Sequence, residues 1–336
     1  MMQRIGWIVV FVALFFSACE ENSVVLPEES SGIPLLFAPL RSAASDPDNL
    51  ASEYNIVNLH VFLTNTGSAT ITNKFINQSF ISTNDTTVMN CKMATLPLDQ
   101  TTVTSKDVYV IANCSDVTSL NAVQTVADLK ALTTPQATTA SGLTTDNGLP
   151  MFGQITNANL GASTTANPVS VMLTRTCAKL RITLTFTSAS YTGSNNQFAI
   201  ENASAYTYFV KNDTFKINSS QLLTYPQMPF VQQTARQFQG ITYVYESLQI
   251  PRLHIYTTVN GTPKDYVASS NFPLPVRNYL YDIQIQIMPP SQSSAPQNMR
   301  SAGDSEELKA KIIIRTYGSS EADVAIMEYM DILTPP

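Results

Sequence analysis

The sequence predicts a mainly β protein built as two β-sandwich-like domains in tandem, with one short helix and a closing pair of strands. Three observations carry this reading. Apolar and β-branched runs recur along the chain and are bounded by Asn, Gly, Pro and Ser clusters, the pattern of short strands joined by turns. Only 13% of the residues are charged, so Thr, Ser, Asn and Gln must supply most of the polar surface, and with the β-branched residues they suit pleated, half-buried strands. A chain of 336 residues is also long enough for two ordinary domains of about 100 to 200 residues each. The formal charge of -6 argues against a nucleic-acid partner, which calls for basic patches.

Taken in order, Arg4 precedes an apolar stretch from Ile5 to Phe16, followed by the small residues Ser17 and Ala18 and then Cys19. This is the layout of a cleavable signal peptide over residues 1–18. The stretch falls short of the roughly 20 apolar residues that span a bilayer. Ser17-Ala18-Cys19 resembles a lipobox, with Phe16 where Leu is usual, and marks Cys19 as the lipid-attachment residue that would tie the chain to an outer membrane. Glu20 and Glu21 resemble the acidic tag of lipoproteins sent to the cell surface. Residues 19–48 read as a tether rich in Pro, Ser, Glu and Ala, except for the apolar island Ile33 to Leu40, which Arg41 follows.

The first β domain is expected over 49–167. Ile56, Leu59, Val61 and Leu63 form a strand ending at the turn Asn65-Thr66-Gly67, and further runs cover Val88 to Leu98 and Val108 to Ala112. Leu120, Val123, Val126 and Leu129 recur at helical spacing, with Thr125 and Asp128 as a capping-box pair inside the helix. Thr133 to Thr145 reads as a surface loop, and strands resume at Pro150. The second domain, 168–336, opens with Val169 to Leu173 and Leu180 to Phe186. Strand patterns follow at Ala205 to Val210, Ile241 to Ile250, Leu253 to Val259 and Tyr279 to Ile287, the last with Tyr281, Ile283, Ile285 and Ile287 on one face. A Pro-, Ser- and Gln-rich linker over 289–304 precedes two terminal strands within 308–333. One carries Leu308, Ala310, Ile312 and Ile314 on a single face, and the other Val324, Ile326, Met330 and Ile332. Termini are usually disordered unless docked in a sheet, so patterned strands at this end suggest a partner.

Catalytic signatures are missing. There is no phosphate loop, nucleophile elbow or zinc-binding helix motif, so the chain is not expected to be an enzyme and no cofactor or metal is implied. His60 and His254 sit in strand patterns without metal-ligand spacing and read as half-buried strand histidines. Cys91, Cys114 and Cys177 read as small buried hydrophobes, although two of them could pair in an oxidising compartment. The Asn-x-Ser/Thr sites, among them Asn77, Asn202 and Asn260, carry no functional weight. Tyr206 with Tyr208, Tyr243 with Tyr245 and Tyr279 with Tyr281 lie on shared strand faces. Such pairs are usually core, but exposed rings could stack on sugars, which would make the chain a surface glycan-binding lipoprotein.

Several segments together resemble the fimbrillin family, the type V pilus subunits of Bacteroidia. They are EYNIVNLHVFLTNTG (Glu53 to Gly67), VYVIAN (Val108 to Asn113), LPMFG (Leu149 to Gly153), VSVMLTRTCAKLRITLTF (Val169 to Phe186) and RNYLYDIQIQI (Arg277 to Ile287). The resemblance implies two transthyretin-like β domains and a structural role in surface fimbriae serving adhesion or biofilm formation. It also implies that an Arg-specific protease removes the first strand, here Ile33 to Leu40, by cutting between Arg41 and Ser42. The vacated groove would accept a donor strand from a neighbouring subunit, drawn from Leu308, Ile312, Ile314, Val324, Ile326, Met330 and Ile332. The expected partners are other fimbrial subunits, the outer membrane through Cys19, and a host or bacterial surface receptor. A tryptophan associated with the C-terminal region of stalk subunits is missing, which leaves a tip or anchor subunit that keeps its lipid as the alternative.

Overall fold

A computed structural model describes residues 32–40, 50–82, 91–100, 103, 105–189, 192–214, 219–268, 272–288, 307–316 and 325–329. The fold is mainly β. Eight strands form one sheet: β1 (Ile33–Pro39), β2 (Leu59–Asn65), β3 (Ile71–Phe75), β4 (Ile81–Ser82), β5 (Lys92–Leu96), β6 (Lys106–Ala112), β7 (Met151–Ala158) and β8 (Val169–Arg175), in the order β3-β2-β6-β7-β8-β1-β5-β4. β7 and β8 touch through only two residue pairs, Met151↔Arg175 and Phe152↔Thr174. The sheet folds over at this weak seam, so that apolar side chains of β1, β5 and β8 meet those of β2, β6 and β7 in one core. That is a sandwich closed by period-two alternation: Leu59, Val61 and Leu63 face inward with Val108, Val110 and Ala112.

The opposite face of β2 and β6, carrying Phe62, Tyr109 and Ile111, is covered by α1 (Val117–Ala122) and α2 (Val126–Ala131). A single helix was expected here; the structure has two. Val123 takes an extended ψ of 120° that ends α1, and Thr125, also extended, opens α2. The Thr125–Asp128 pair is indeed a capping box, with the Asp128 N–H donating to Thr125 Oγ1 at 3.1 Å and the Thr125 N–H to Asp128 Oδ2 at 2.9 Å. It starts a helix rather than sitting inside one.

The remaining strands are β9 (Cys177–Phe186), β10 (Gly193–Glu201), β11 (Ala203–Ser204), β12 (Leu222–Leu223), β13 (Met228–Pro229), β14 (Val231–Thr234), β15 (Gln237–Tyr245), β16 (Arg252–Val259), β17 (Thr262–Ala268), β18 (Tyr279–Met288), β19 (Glu307–Thr316) and β20 (Ala325–Tyr329). A six-stranded sheet, β14-β15-β9-β18-β19-β20, and a four-stranded sheet, β13-β10-β16-β17, enclose the second large core; β11 and β12 pair separately. Leu180, Ile182, Leu184 and Phe186 from β9 join Tyr281, Ile283, Ile285 and Ile287 from β18, the face expected from their alternation. The apolar pattern at Ala205 to Val210 is not a strand: only Tyr208 forms a bridge, to Thr133. Thr133 to Thr145, expected as a surface loop, is instead partly buried. The Ala137 N–H donates to the Ala205 carbonyl, the Tyr245 hydroxyl to the Pro135 carbonyl, and Gly142 lies against the Tyr225 ring.

Asparagine supplies the turns. Seven described asparagines have positive φ, including Asn77, Asn202 and Asn260, because a short side chain tolerates the left-handed region. Asn113, at φ 61°, accepts from the Val57 N–H and donates to the carbonyls of Asn55 and Leu149, each at 2.8 Å. Gly148, at φ +73°, leaves room for it, since a Cβ there would collide with the Asn113 amide. Gly148→Ala is expected to destabilise by on the order of 1–3 kcal/mol, from backbone strain and displacement of that amide. A lower urea midpoint at unchanged m-value would show it.

Candidate functional site

Pro34 and Pro39 make Ile33–Pro39 an unpromising strand on paper, yet β1 lies inside its sheet. It pairs antiparallel with β5, from Ile33↔Leu96 to Phe37↔Lys92, and parallel with β8, from Leu35↔Val169 to Pro39↔Leu173. The Leu40 N–H donates to the Leu173 carbonyl at 2.8 Å, so the even-numbered residues of this segment turn their main-chain groups toward β8. The N–H missing from Pro34 would point at β8 one residue before that ladder begins. The one missing from Pro39 would point at β5 beyond the end of its ladder, so neither proline breaks a bond. The Pro34 carbonyl, also turned toward β8, accepts from Ser163 Oγ, which in turn accepts from the Val169 N–H. Ile33, Leu35 and Phe37 are fully buried in the first core.

Beyond Pro39 the strand ends against a cluster of buried charges. Arg175, the last residue of β8, is 1% exposed; its Nη1 donates to the Leu40 carbonyl at 3.1 Å and its Nε to the Glu53 carbonyl at 3.0 Å. The guanidinium also lies 4.4 Å from the Tyr54 ring centroid and 3.4 Å from Asn278 Oδ1. The Glu53 carboxylate, fully buried, meets Lys179 Nζ of β9 at 2.6 Å and accepts from the Tyr243 hydroxyl of β15 at 2.8 Å. Burial, and then the Glu53 charge, push the Tyr243 hydroxyl well above its ordinary range, which keeps it a donor. A second buried pair, Arg181 with Asp282 at 2.6 Å, joins neighbouring residues of β9 and β18. The network thus ties the β1 exit and the turn at Glu53 to the six-stranded sheet.

Arg175, Glu53 and Lys179 escaped the sequence reading. A charged residue in an alternating strand reads as solvent-facing, and Glu53 is 126 residues from Lys179. The one available signal was Arg175, Lys179 and Arg181 at spacings of four and two within an otherwise uncharged strand pair. Among the residues that were predicted, Leu308, Ile312 and Ile314 lie on β19, opposite Ile287, Ile283 and Tyr281 of β18. Ile326 lies on β20 opposite Ile313. Cys19, Arg41, Ser42, Val324, Met330 and Ile332 lie outside the described residues.

The other candidates resolve as packing. Cys91, Cys114 and Cys177 are buried, and burial pushes the Cys177 thiol up to about 12. Tyr243, Tyr245 and Tyr281 are core residues, with Tyr206, Tyr208 and Tyr279 partly buried beside them, so no pair offers the exposed rings that a sugar platform needs. His254 is flanked by Glu201 on one ring nitrogen and Asp265 on the other, both at 3.3 Å, an arrangement that cannot close on a single cation. Among the described residues no group of three His, Cys, Asp or Glu is placed to hold a metal, and no helix is long and apolar enough to cross a membrane. A shallow pocket bounded by Lys211, Asp213, Glu246 and Leu248 has its charges paired, Lys211 with Asp213 at 2.8 Å and Glu246 with Arg277 at 2.5 Å.

His60 is fully buried rather than half-buried. Its Nδ1 accepts from the Asn77 N–H at 3.0 Å, which fixes the neutral ring with the proton on Nε2, shared between the Cys114 carbonyl and Asn58.

Residues 37–197 match the family model described as Major fimbrial subunit protein (FimA). The resemblance to the fimbrillin family therefore holds. In this fimbrillin-like chain the matched segment starts inside β1 and takes in nearly all of the eight-stranded sheet. No curated protein matches the chain. Two solved structures, each described as a "putative cell adhesion protein", share its fold. The one from Parabacteroides distasonis has a TM-score of 0.56 at 15% identity, covering 87% of this chain and 98% of its own. The one from Bacteroides eggerthii has a TM-score of 0.50 at 14% identity, covering 84% and 95%. The C-terminally truncated tip fimbrial protein Mfa3 from Porphyromonas gingivalis aligns at a TM-score of 0.49 and 14% identity, over 83% of this chain and 98% of that one.

Two outcomes follow for the buried groups. Glu53→Leu is expected to lose about 3–5 kcal/mol by stranding Lys179, and Glu53→Leu with Lys179→Met to recover most of it, as measured by urea unfolding. For His60, burial lowers the folded pKa below 6.5 while the unfolded ring titrates near 6.5. The unfolded chain therefore binds the proton first. The stability contributed by the neutral ring is complete above about 6.5 and is lost as pH falls from there through the lower folded value. His60→Gln should flatten the dependence of the urea midpoint on pH in that window.

Proposed function

We propose that the chain is a structural subunit of surface fimbriae that is exported as a lipoprotein on Cys19 and assembled by strand exchange. In this reading, cleavage between Arg41 and Ser42 releases β1 and opens the groove between β5 and β8. The terminal residues Leu308, Ile312, Ile314, Val324, Ile326, Met330 and Ile332 of a neighbour supply the replacement strand. This reading takes the chain as two tandem domains, over 49–167 and 168–336, although β1 and β8, which lie outside the first range, pack in the first core.

The interior position of β1 carries the reading. A strand at a sheet edge could be lost at modest cost, but β1 is bonded on both edges and buries Ile33, Leu35 and Phe37 completely. Burial of three such side chains contributes about 1.5–3 kcal/mol each, a sum comparable to the 5–15 kcal/mol that holds a typical domain together. A chain that sheds this strand must take another in its place, and an empty groove with two unpaired edges and apolar pockets accepts an extended peptide by β-augmentation. The family match supports the fimbrial role itself.

A second reading, a tip or anchor subunit that keeps its lipid and its first strand, draws on a different observation. β19 is paired with β18 of its own sheet over ten residues, from Tyr279↔Thr316 to Met288↔Glu307, so part of the would-be donor is occupied at home.

Fibres sheared from the producing cells distinguish these. A polymer subunit should begin at Ser42, should be retained as precursor by Arg41→Ala, and should drop out of fibres when residues 308–336 are deleted. A lipidated Cys19 on mature, fibre-associated protein would favour the tip or anchor reading, and normal incorporation of the truncated chain would exclude donation by its C-terminus.

A further inference from the structure

The last residue of the β1 segment is held at both of its main-chain groups, and by different means. The Leu40 N–H makes a ladder bond to the Leu173 carbonyl at 2.8 Å. The Leu40 carbonyl, where the ladder has run out, is taken by Arg175 Nη1 at 3.1 Å. β8 ends at Arg175, and there it is the side chain that meets the carbonyl. The guanidinium reaches back. It is almost wholly buried, and its other contacts, the Glu53 carbonyl, the Tyr54 ring and Asn278, come from outside the groove.

We propose that Arg175 is a terminal clamp for whatever strand fills the β5–β8 groove, gripping one main-chain carbonyl at the position of Leu40 and thereby setting the minimum reach of an acceptable occupant. The proposal rests on the strand-exchange reading and specifies a residue that governs it. A buried guanidinium that loses an acceptor is left with an unsatisfied charged donor, which is costly, so an occupant that stops short of this position binds less well than one that passes it. The contact is to a carbonyl, so it is indifferent to the occupant's side chains; the pockets of Ile33, Leu35 and Phe37 read those. The same side chain holds Glu53 and Asn278, so a full groove also completes the packing of the junction next to it.

The test uses the full chain with a sequence-specific protease site in place of Arg41-Ser42, so that β1 can be cut and exchanged for labelled peptides. Two peptides of residues 32–41 are compared, one natural and one with an ester in place of the amide between residues 40 and 41, which weakens only the Leu40 carbonyl as an acceptor and removes the Arg41 N–H. On the wild-type protein the amide peptide should bind about 10-fold tighter than the ester, the scale of one charged hydrogen bond. On Arg175→Met and Arg175→Lys the preference should fall below about 2-fold. Equal binding of the two peptides to wild type, or the same preference in all three proteins, overturns the clamp. If no peptide enters the cut wild-type groove, the strand-exchange reading fails instead, and the clamp is judged in the intact chain by hydrogen exchange. Both variants should then speed exchange at the amides of residues 35–38 and 40 by about 10-fold or more, relative to those of β15. No change there, or an equal change throughout, overturns it.

Discussion

The first sandwich depends on an interior strand that reaches it from one end of the chain. β1 is bonded to β5 on one edge and β8 on the other, and neither of those strands pairs with the other directly. An interior strand gives two things at once: a double ladder of main-chain bonds, and apolar side chains at the centre of the core. It also carries a liability. If it leaves, both neighbours become edges, and exposed edges bind other strands. What would be a defect in an isolated domain is what the proposed strand exchange would require. The parallel pairing with β8 sharpens this, because parallel strands need long crossovers, and here the crossover runs through β2 to β7.

The buried charges beside β1 have a different logic. Glu53 with Lys179, and Arg181 with Asp282, take four charges out of water, and such pairs often contribute less to stability than an apolar replacement of the same size. Their value lies in geometry. Glu53 must accept from Lys179 and Tyr243 together, and its own carbonyl accepts from Arg175, so one residue fixes the turn at Ala51–Tyr54 against β8, β9 and β15. An apolar contact in that place would allow sliding; a carboxylate between an ammonium and a hydroxyl does not. The pairing also explains why the outer face of β9 can be polar and yet buried.

Much of this was legible in the sequence, and the rest failed for identifiable reasons. β2, β6, β8, β9, β16 and β18 were visible because apolar residues alternate against a solvated or differently packed face. β3, β10, β14 and β17 were not, since stretches such as Gly193-Ser194-Asn195-Asn196-Gln197 hold their pairing through main-chain bonds and offer little apolar periodicity. The helix was located correctly but not divided, because spacing alone cannot show that Val123 leaves the helical region. The loop after it looked solvated from its Thr and Ser content, although Ala137 and Gly142 are small enough to be pressed into the second core. The strand at Ile33–Pro39 was anticipated through family resemblance and not through periodicity, because the two prolines count against a strand until their missing donors are placed relative to both ladders. Of the buried network only the three cations Arg175, Lys179 and Arg181 were visible in the sequence: a salt bridge between residues 126 apart leaves no local trace.

These two features, an interior strand and a charge network at its exit, belong to one design. A strand held only by alternating apolar pockets could shift by two residues and keep the same face inward, so pockets alone define register weakly when neighbouring side chains are alike in size, as Ile33, Leu35 and Phe37 are. A fixed polar contact at one end removes that freedom, because a buried guanidinium needs its acceptor at one place. At the other end, Ser163 performs the corresponding task by donating to the Pro34 carbonyl. The strand is thus gripped at its two termini through main-chain atoms and along its middle through side chains. Side chains decide what fits, and the termini decide where it stops.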